Sequence, residues 1–276
     1  MGVGKLTRKG LPFSNVVATG VATNNVTPGR TINNMQLKLG GTSLTKAMLS
    51  MIKIKANGKV IFEGTGTQFD KLNAYRGQTT DVAYLDLPFF ERAGLTEYDR
   101  AVGGFDTTQG IQNITTEISI AGATAPTLEM ILTESAQQAD TAGNSAPFAG
   151  VIAKVLRYPF AMATGGTLPI TVPFGPQNGA VIKRLHIEHT GNMTGINVKQ
   201  DGLVIHESLK AENEYEQKRW GRVPQTNLYT IDFMVDGNVN KALDTRSARS
   251  LEWLPTFSAM DSGYVIVEYL DTLGNI

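Results

Sequence analysis

An internal repeat constrains this chain more than any other feature. Residues 52–77 (IKIKANGKVIFEGTGTQFDKLNAYRG) and residues 196–221 (INVKQDGLVIHESLKAENEYEQKRWG) align without a gap at an offset of 144 positions. The identical pairs include Ile52 with Ile196, Lys55 with Lys199, Gly58 with Gly202, Ile61 with Ile205, Glu63 with Glu207 and Gly77 with Gly221. Each copy reads as an alternating strand, an Asn-Gly or Asp-Gly turn, a second strand and a polar helical run. Those dipeptides accept positive φ at both central positions of a type I′ turn, whose twist matches that of the flanking strands. The identities fall where turn and core physics demand them, so the chain holds two copies of one fold.

At 276 residues the length fits one large domain or two of ordinary size, and the repeat spacing favours two. Lys and Arg number 25, as do Asp and Glu, so no global field draws the protein to nucleic acid or anionic lipid. A charged fraction of 18% with 29 glycines suits a β-rich, loop-rich chain with much surface buried against neighbours. There is no cysteine, which excludes disulfides and thiolate metal sites. No apolar run approaches the length of a membrane helix and no signal segment is visible, so a soluble chain without an export signal is expected.

Residues 1–14 lack strand or helix period and read as an N-terminal arm carrying Lys5, Arg8 and Lys9. A first domain spans 15–137, a small polar segment at 138–150 is the linker, and a second domain spans 151–276. In the first, residues 31–39 form a strand with Met35, Leu37 and Leu39 on one face, ended by Gly40-Gly41. The hairpin buries Ile52, Ile54, Val60 and Phe62, and Thr67 caps a helix reaching Tyr75. Further strands fall at 82–87, 111–121 and 127–133. The second half repeats the plan, with strands at 151–157, 168–173, 181–189, 227–235, 250–254 and 264–270 around the second hairpin. Short strands with regular turn signals and one short helix per half give an all-β chain: two tandem sandwiches, each a jelly roll if it holds eight strands.

Chemistry is sparse. His186 and His189, three apart in a strand, point to opposite faces and cannot share a metal, and His206 stands apart from them. Gly4-Lys5-Leu6 and Gly58-Lys59-Val60 lack the hydroxyl residue of a phosphate loop, and no nucleophile elbow or zinc-protease helix is present. Glu188, Glu207, Asp232 and Glu268 supply carboxylates for a glycosidase pair, but read more simply as solvated strand faces. Asp232, Asp236 and Asp261 are the candidate oxygen ligands for calcium, without EF-hand spacing. Trp220 and Trp253 read as core or interface anchors. Nothing demands an active site, so the chain reads as a non-enzyme with no cofactor other than that calcium.

Residues 227–239 (NLYTIDFMVDGNV) and 260–270 (MDSGYVIVEYL) resemble the closing part of the corticovirus major capsid protein. That is the coat protein of a tailless icosahedral bacteriophage with an internal membrane. The stretch 185–221 is similar in layout; the first half agrees in plan, and the arm before Ser14 has no counterpart. The resemblance implies a double jelly roll of two eight-stranded sandwiches, upright in a capsid shell, with three chains forming a pseudo-hexameric trimer. It implies neighbouring trimers as partners, lipid or viral membrane proteins beneath, no direct nucleic-acid binding, and residence in the virion after synthesis in the host cytoplasm. Tyr98, Phe105, Phe148, Trp220 and Trp253, taken as exposed aromatics and loop residues, are the candidate trimer and lattice contacts. Lys5, Arg8 and Lys9 are assigned to the membrane side. The rival from another class is a jelly-roll carbohydrate-binding module or glycan-active enzyme, which requires a cleft with exposed Trp or Tyr beside a carboxylate pair. A spike or adhesin would bring fibrous repeats or a receptor-binding head, and neither is visible.

Overall fold

The computed structural model describes residues 5–108, 110–138 and 149–276. The chain divides into two compact units, Met1–Val155 with Thr272–Ile276, and Leu156–Asp271. The first holds β1 (Leu6–Lys9), β2 (Gly20–Val26), β3 (Thr31–Ser43), β4 (Leu49–Ala56), β5 (Lys59–Gly64), helix α1 (Gly66–Tyr75), β6 (Tyr84–Pro88), helix α2 (Glu97–Ala101), β7 (Phe105–Asp106), β8 (Ile114–Ile120) and β9 (Thr124–Ser135). Its sheets run β1-β9-β3-β6, with β7 added to β3, and β5-β4-β8-β2. The chain crosses repeatedly from one sheet to the other, which is the jelly-roll path.

The second set is β10 (Val151–Met162), β11 (Gly166–Thr167), β12 (Val181–Glu188), β13 (Met193–Gln200), β14 (Leu203–Leu209), helix α3 (Lys210–Arg219), β15 (Leu228–Asp232), β16 (Leu243–Asp244), β17 (Leu251–Phe257) and β18 (Asp261–Thr272). Its sheets run β10-β18-β12-β15, with β16 on β12, and β11-β17-β13-β14. This is the order of the first set, strand for strand. The bounds of β4, α1 and β6 recur in β13, α3 and β15 at the offset of 144, and β14 starts at the counterpart of β5 and runs one residue longer. From β8 and β9 to β17 and β18 the offset is 137, because the connection before the last two strands is seven residues shorter in the second copy.

The repeat extends to individual hydrogen bonds. Asn57-Gly58 adopt φ of 49° and 83°, and Asp201-Gly202 adopt 51° and 83°, so both hairpins turn through left-handed backbone. Both then carry a bulge at the same place. Ile54 faces Phe62 but Lys55 faces Val60, leaving Ile61 extra, and Val198 faces His206 but Lys199 faces Val204, leaving Ile205 extra. The bulge corrects the expected inward set: Ile61 and Phe62 are buried, whereas Val60 is only half-buried.

Thr65, rather than Thr67, caps α1: its hydroxyl accepts from Gln68 N–H at 3.1 Å while Thr65 N–H donates to the Gln68 side chain at 2.9 Å. In α3 only the second half of this box remains, Leu209 N–H donating to Glu212 at 2.9 Å, because leucine has no acceptor. Both helices end in a glycine at positive φ, Gly77 at 72° and Gly221 at 71°. Gly77 N–H reaches Ala74 O and Gln78 N–H reaches Asn73 O, matched by Gly221 to Lys218 and Arg222 to Gln217. Each is a Schellman motif. Side-chain amides then tie each helix to the following strand, Asn73 Nδ2 to Asp86 O at 2.8 Å and Gln217 Nε2 to Thr230 O at 2.7 Å.

Aromatic rings fill the first core, with Phe62 centred 4.7 Å from Phe89, and Phe89 5.4 Å from Phe105. In the second, Leu185, Ile187, Val198, Trp253 and Val267 pack from the two sheets toward each other.

Three expectations about local structure are corrected. The arm is not irregular throughout: Leu6–Lys9 is the first jelly-roll strand, antiparallel to β9. Arg8 grips the buried Glu134 with two bonds of 2.7 and 2.8 Å, and Lys9 meets Glu129 at 3.1 Å. Gly40-Gly41 do not end β3, which continues to Ser43; Gly41 has φ of 91°, and a Cβ there would lie 2.1 Å from Ala125 O. Residues 168–173 are not a strand but make one isolated bridge, Ile170 to Trp253, since Pro169 and Pro173 cannot donate to a ladder.

Gly77→Ala and Gly221→Ala are expected to lower stability by similar amounts, about 1–2 kcal/mol each for a left-handed non-glycine residue. Urea denaturation of the two variants checks this.

Candidate assembly surfaces

A protein without a catalytic constellation acts through its surface. Tyr98 sits on α2, whose first turn is fixed by a capping box between Thr96 and Asp99. It remains partly exposed beside a mostly apolar cleft of about 750 Å³ lined by Lys5, Phe90, Glu97, Arg100 and Ala101. The Arg92 guanidinium lies over the Phe90 ring at 5.7 Å. Trp220 follows the last residue of α3, half-exposed, with its indole N–H donating to Glu216 at 2.8 Å.

The other aromatic assignments change. Phe105 is fully buried, because pairing of β7 with β3 sets it opposite Ile32 and against Phe89. Trp253 is also fully buried, facing inward on β17 opposite Val198 with its ring edge toward Phe233. Neither is an exposed aromatic; both are core. Phe148 lies outside the described residues. Lys5 lines the cleft, whereas Arg8 and Lys9 are engaged by Glu134 and Glu129, so these two cations are not displayed as an unpaired basic patch.

The carboxylates divide by burial. Asp232 and Glu268 are not solvated strand faces: their side chains are about 1% exposed, with Arg184 between them. The register sets Arg184 directly across from both, at 2.9 Å from Asp232 and 3.1 Å from Glu268. His186 joins Thr230 at 2.8 Å and Glu268 at 2.9 Å, and Arg222 approaches Asp232 at 3.4 Å. The acids are held by cations, which makes the cluster structural. Its signal in the sequence is the run Lys183-Arg184-Leu185-His186 inside an otherwise apolar strand, charges that a strand buried on both faces has to pair.

The aspartates proposed for calcium do not share a site. Asp232 is committed to Arg184 and Arg222, and Asp236 pairs with Lys241. Asp261 accepts backbone N–H groups from Thr190 at 2.8 Å, Asn192 at 3.0 Å and Ser262 at 2.7 Å. Among the described residues no three His, Cys, Asp or Glu side chains gather to hold a metal ion, and no helix is long and apolar enough to cross a membrane.

Both halves match family models of one coat protein. The viral coat protein P2 N-terminal domain covers residues 7–138, and the viral coat protein P2 C-terminal domain covers residues 152–273. The chain belongs to the viral coat protein P2 family and is a structural capsid protein. The match begins at residue 7, so the segment before Ser14 does have a counterpart, as its pairing in β1 requires.

The major capsid protein P2 of bacteriophage PM2 is similar at 17% identity, over 97% of each chain, with a TM-score of 0.79. The capsid protein of STIV, the Sulfolobus turreted icosahedral virus, is similar at 16% identity over 98% of this chain and 97% of that one, TM-score 0.73. The PBCV-1 virus capsid follows at 11% identity over 96% and 93%, TM-score 0.61. At these identities the likeness is one of fold, and the fold is the double jelly roll. No curated protein sequence matches the chain.

Two outcomes follow from the buried charges. Arg184→Met is expected to cost about 3–5 kcal/mol by removing the cation that two buried carboxylates share, measured by chemical denaturation. For Asp261, burial pushes the pKa up, but the backbone N–H bonds outweigh it and hold the carboxyl below the usual range. A depressed folded-state pKa stabilises above the unfolded value and is lost as pH falls through the folded one. Asp261→Asn should therefore be destabilised by about 2 kcal/mol at pH 7, with the gap to wild type closing below about pH 4; melting temperatures across pH check it.

Proposed function

We propose that three copies of this chain form a ring of six-sided outline and that these trimers tile an icosahedral shell over an internal membrane. The observation that carries this reading is the repetition of one strand order and one set of element bounds within a single chain. Three such chains supply six similar sandwiches, which lets a three-fold assembly offer six comparable edges to its neighbours. Contacts of this kind are heterologous and close into a ring. Equal numbers of cations and anions permit like copies to pack without net self-repulsion.

The protein named for PM2 is the major capsid protein of a bacteriophage, and the STIV structure is that of an icosahedral virus, which supports the shell. The layer beneath it, lipid or small membrane protein, comes from the corticovirus resemblance. The glycan-binding rival needs a cleft with exposed Trp or Tyr beside a carboxylate pair; Trp253, Asp232 and Glu268 are buried, and the half-exposed Trp220 stands at the end of α3 with its indole N–H committed to Glu216. Light scattering of the purified chain is expected to give three times the 29.8 kDa chain mass, with a six-sided outline in electron micrographs. A mass of one chain at every concentration would overturn the reading.

A further inference from the structure

The repeat lets each exposed side chain of one sandwich be compared with its counterpart in the other. Leu203, Val204, Leu209, Tyr215, Trp220 and Val223 are large apolar side chains left exposed in the second unit. At the offset of 144 their counterparts are Lys59, Val60, Thr65, Lys71, Arg76 and Thr79. Only the valine is apolar in both. The same hairpin and the same helix form with Lys, Thr and Arg at these places, so the fold does not ask for apolar residues there. Exposed apolar side chains that folding does not require point to an interaction surface.

Within that set, Tyr215 and Trp220 are the large aromatics. Asn213 and Gln217, four residues apart, point inward from α3 to Thr230 O, and Tyr215 midway between them points outward, 67% exposed. Trp220, 49% exposed, is tethered to Glu216. The first unit offers the reciprocal shape, the apolar cleft at Phe90, Tyr98 and Ala101.

We propose that Tyr215 of one copy seats in that cleft on a second copy of this chain, with Trp220 at the end of α3 packing at its rim. The inference rests on the trimer reading above and names its contact. Charge agrees with the pairing: Lys5 and Arg100 line the cleft and Glu214 flanks Tyr215, whereas Arg92 and Glu216 are already paired within the chain to Asp86 and Arg219. Glu97, the acid of the cleft, would face Lys218 and Arg219 at the end of α3. Aromatic anchors entering a pocket rimmed by arginine are the usual core of a protein interface. The contact is directional, because α1 carries Lys71 and Arg76 where α3 carries the aromatics. Each copy therefore has one knob and one socket, a heterologous joint of a single kind, as a closed ring of identical chains requires.

The chain has no cysteine, so the joint can be trapped without background. Tyr98→Cys and Tyr215→Cys introduced together and oxidised are expected to yield covalently linked copies up to the trimer, while each single variant stays monomeric on a denaturing gel. Tyr215→Glu with Trp220→Glu is expected to raise the concentration of half-dissociation at least tenfold. Its circular dichroism should match wild type, because both side chains are exposed. If wild type is a trimer, either an unchanged midpoint in the Glu variant or failure of the paired cysteines to link overturns this contact alone. A wild-type chain that is not a trimer overturns the ring and the contact together.

Discussion

The register of the two central hairpins is the constraint on which the rest depends. In a pleated strand a slip of one residue turns every side chain to the opposite face. The left-handed Asn57-Gly58 and Asp201-Gly202 turns set the pairing, and the bulges at Ile61 and Ile205 shift it by one residue at a defined point. That shift places Ile61 and Phe62 in the first core together, delivers each strand to its helix cap, and aims Asn73 and Gln217 at the next strand's carbonyl. A helix that starts from a fixed register and stops at a left-handed glycine has little freedom in where it lies. The sandwich inherits its geometry from a turn of two residues.

Much of this was legible because it is local. Asn-Gly and Asp-Gly turns, alternating apolar residues and a glycine after a helical run are short-range signals, and their recurrence at one offset announced two domains before any contact was known. The strand at Leu6–Lys9 was not legible because it is four residues long and three of them are polar; its partners lie more than 120 positions away. Gly40-Gly41 carried the mark of a terminus but serves close approach to Ala125 instead. Phe105 and Trp253 looked available for interfaces because an aromatic residue's burial depends on which strand covers it. Arg184, Asp232 and Glu268 escaped for the opposite reason: alternation assigns charges to water, and only a three-dimensional register shows one arginine set between two carboxylates.

The two sandwiches show how a duplicated fold separates what folding needs from what assembly needs. Most positions that satisfy backbone groups are held in kind, glycine for glycine at turn and helix end and amide for amide at the helix tie, the N-cap pair Thr65 and Leu209 being the exception. Positions facing outward are free to differ, and Lys71 against Tyr215 or Arg76 against Trp220 are differences of chemical class. An assembly of identical chains benefits from this division, since similar outlines and direction in the joints can then be set by different residues.

The change of offset from 144 to 137 locates the one place where the copies have parted in length among these matched elements. The connection between β6 and β8 is seven residues longer than that between β15 and β17, yet the strands on either side keep their bounds. The longer crossing holds α2 and β7, which set Tyr98 at the cleft and Phe105 in the core, so its added length is folded into structure. Loop closure costs little for added length, so a duplicated chain can grow a new surface feature in one copy at such a crossing while the strands on either side keep their places.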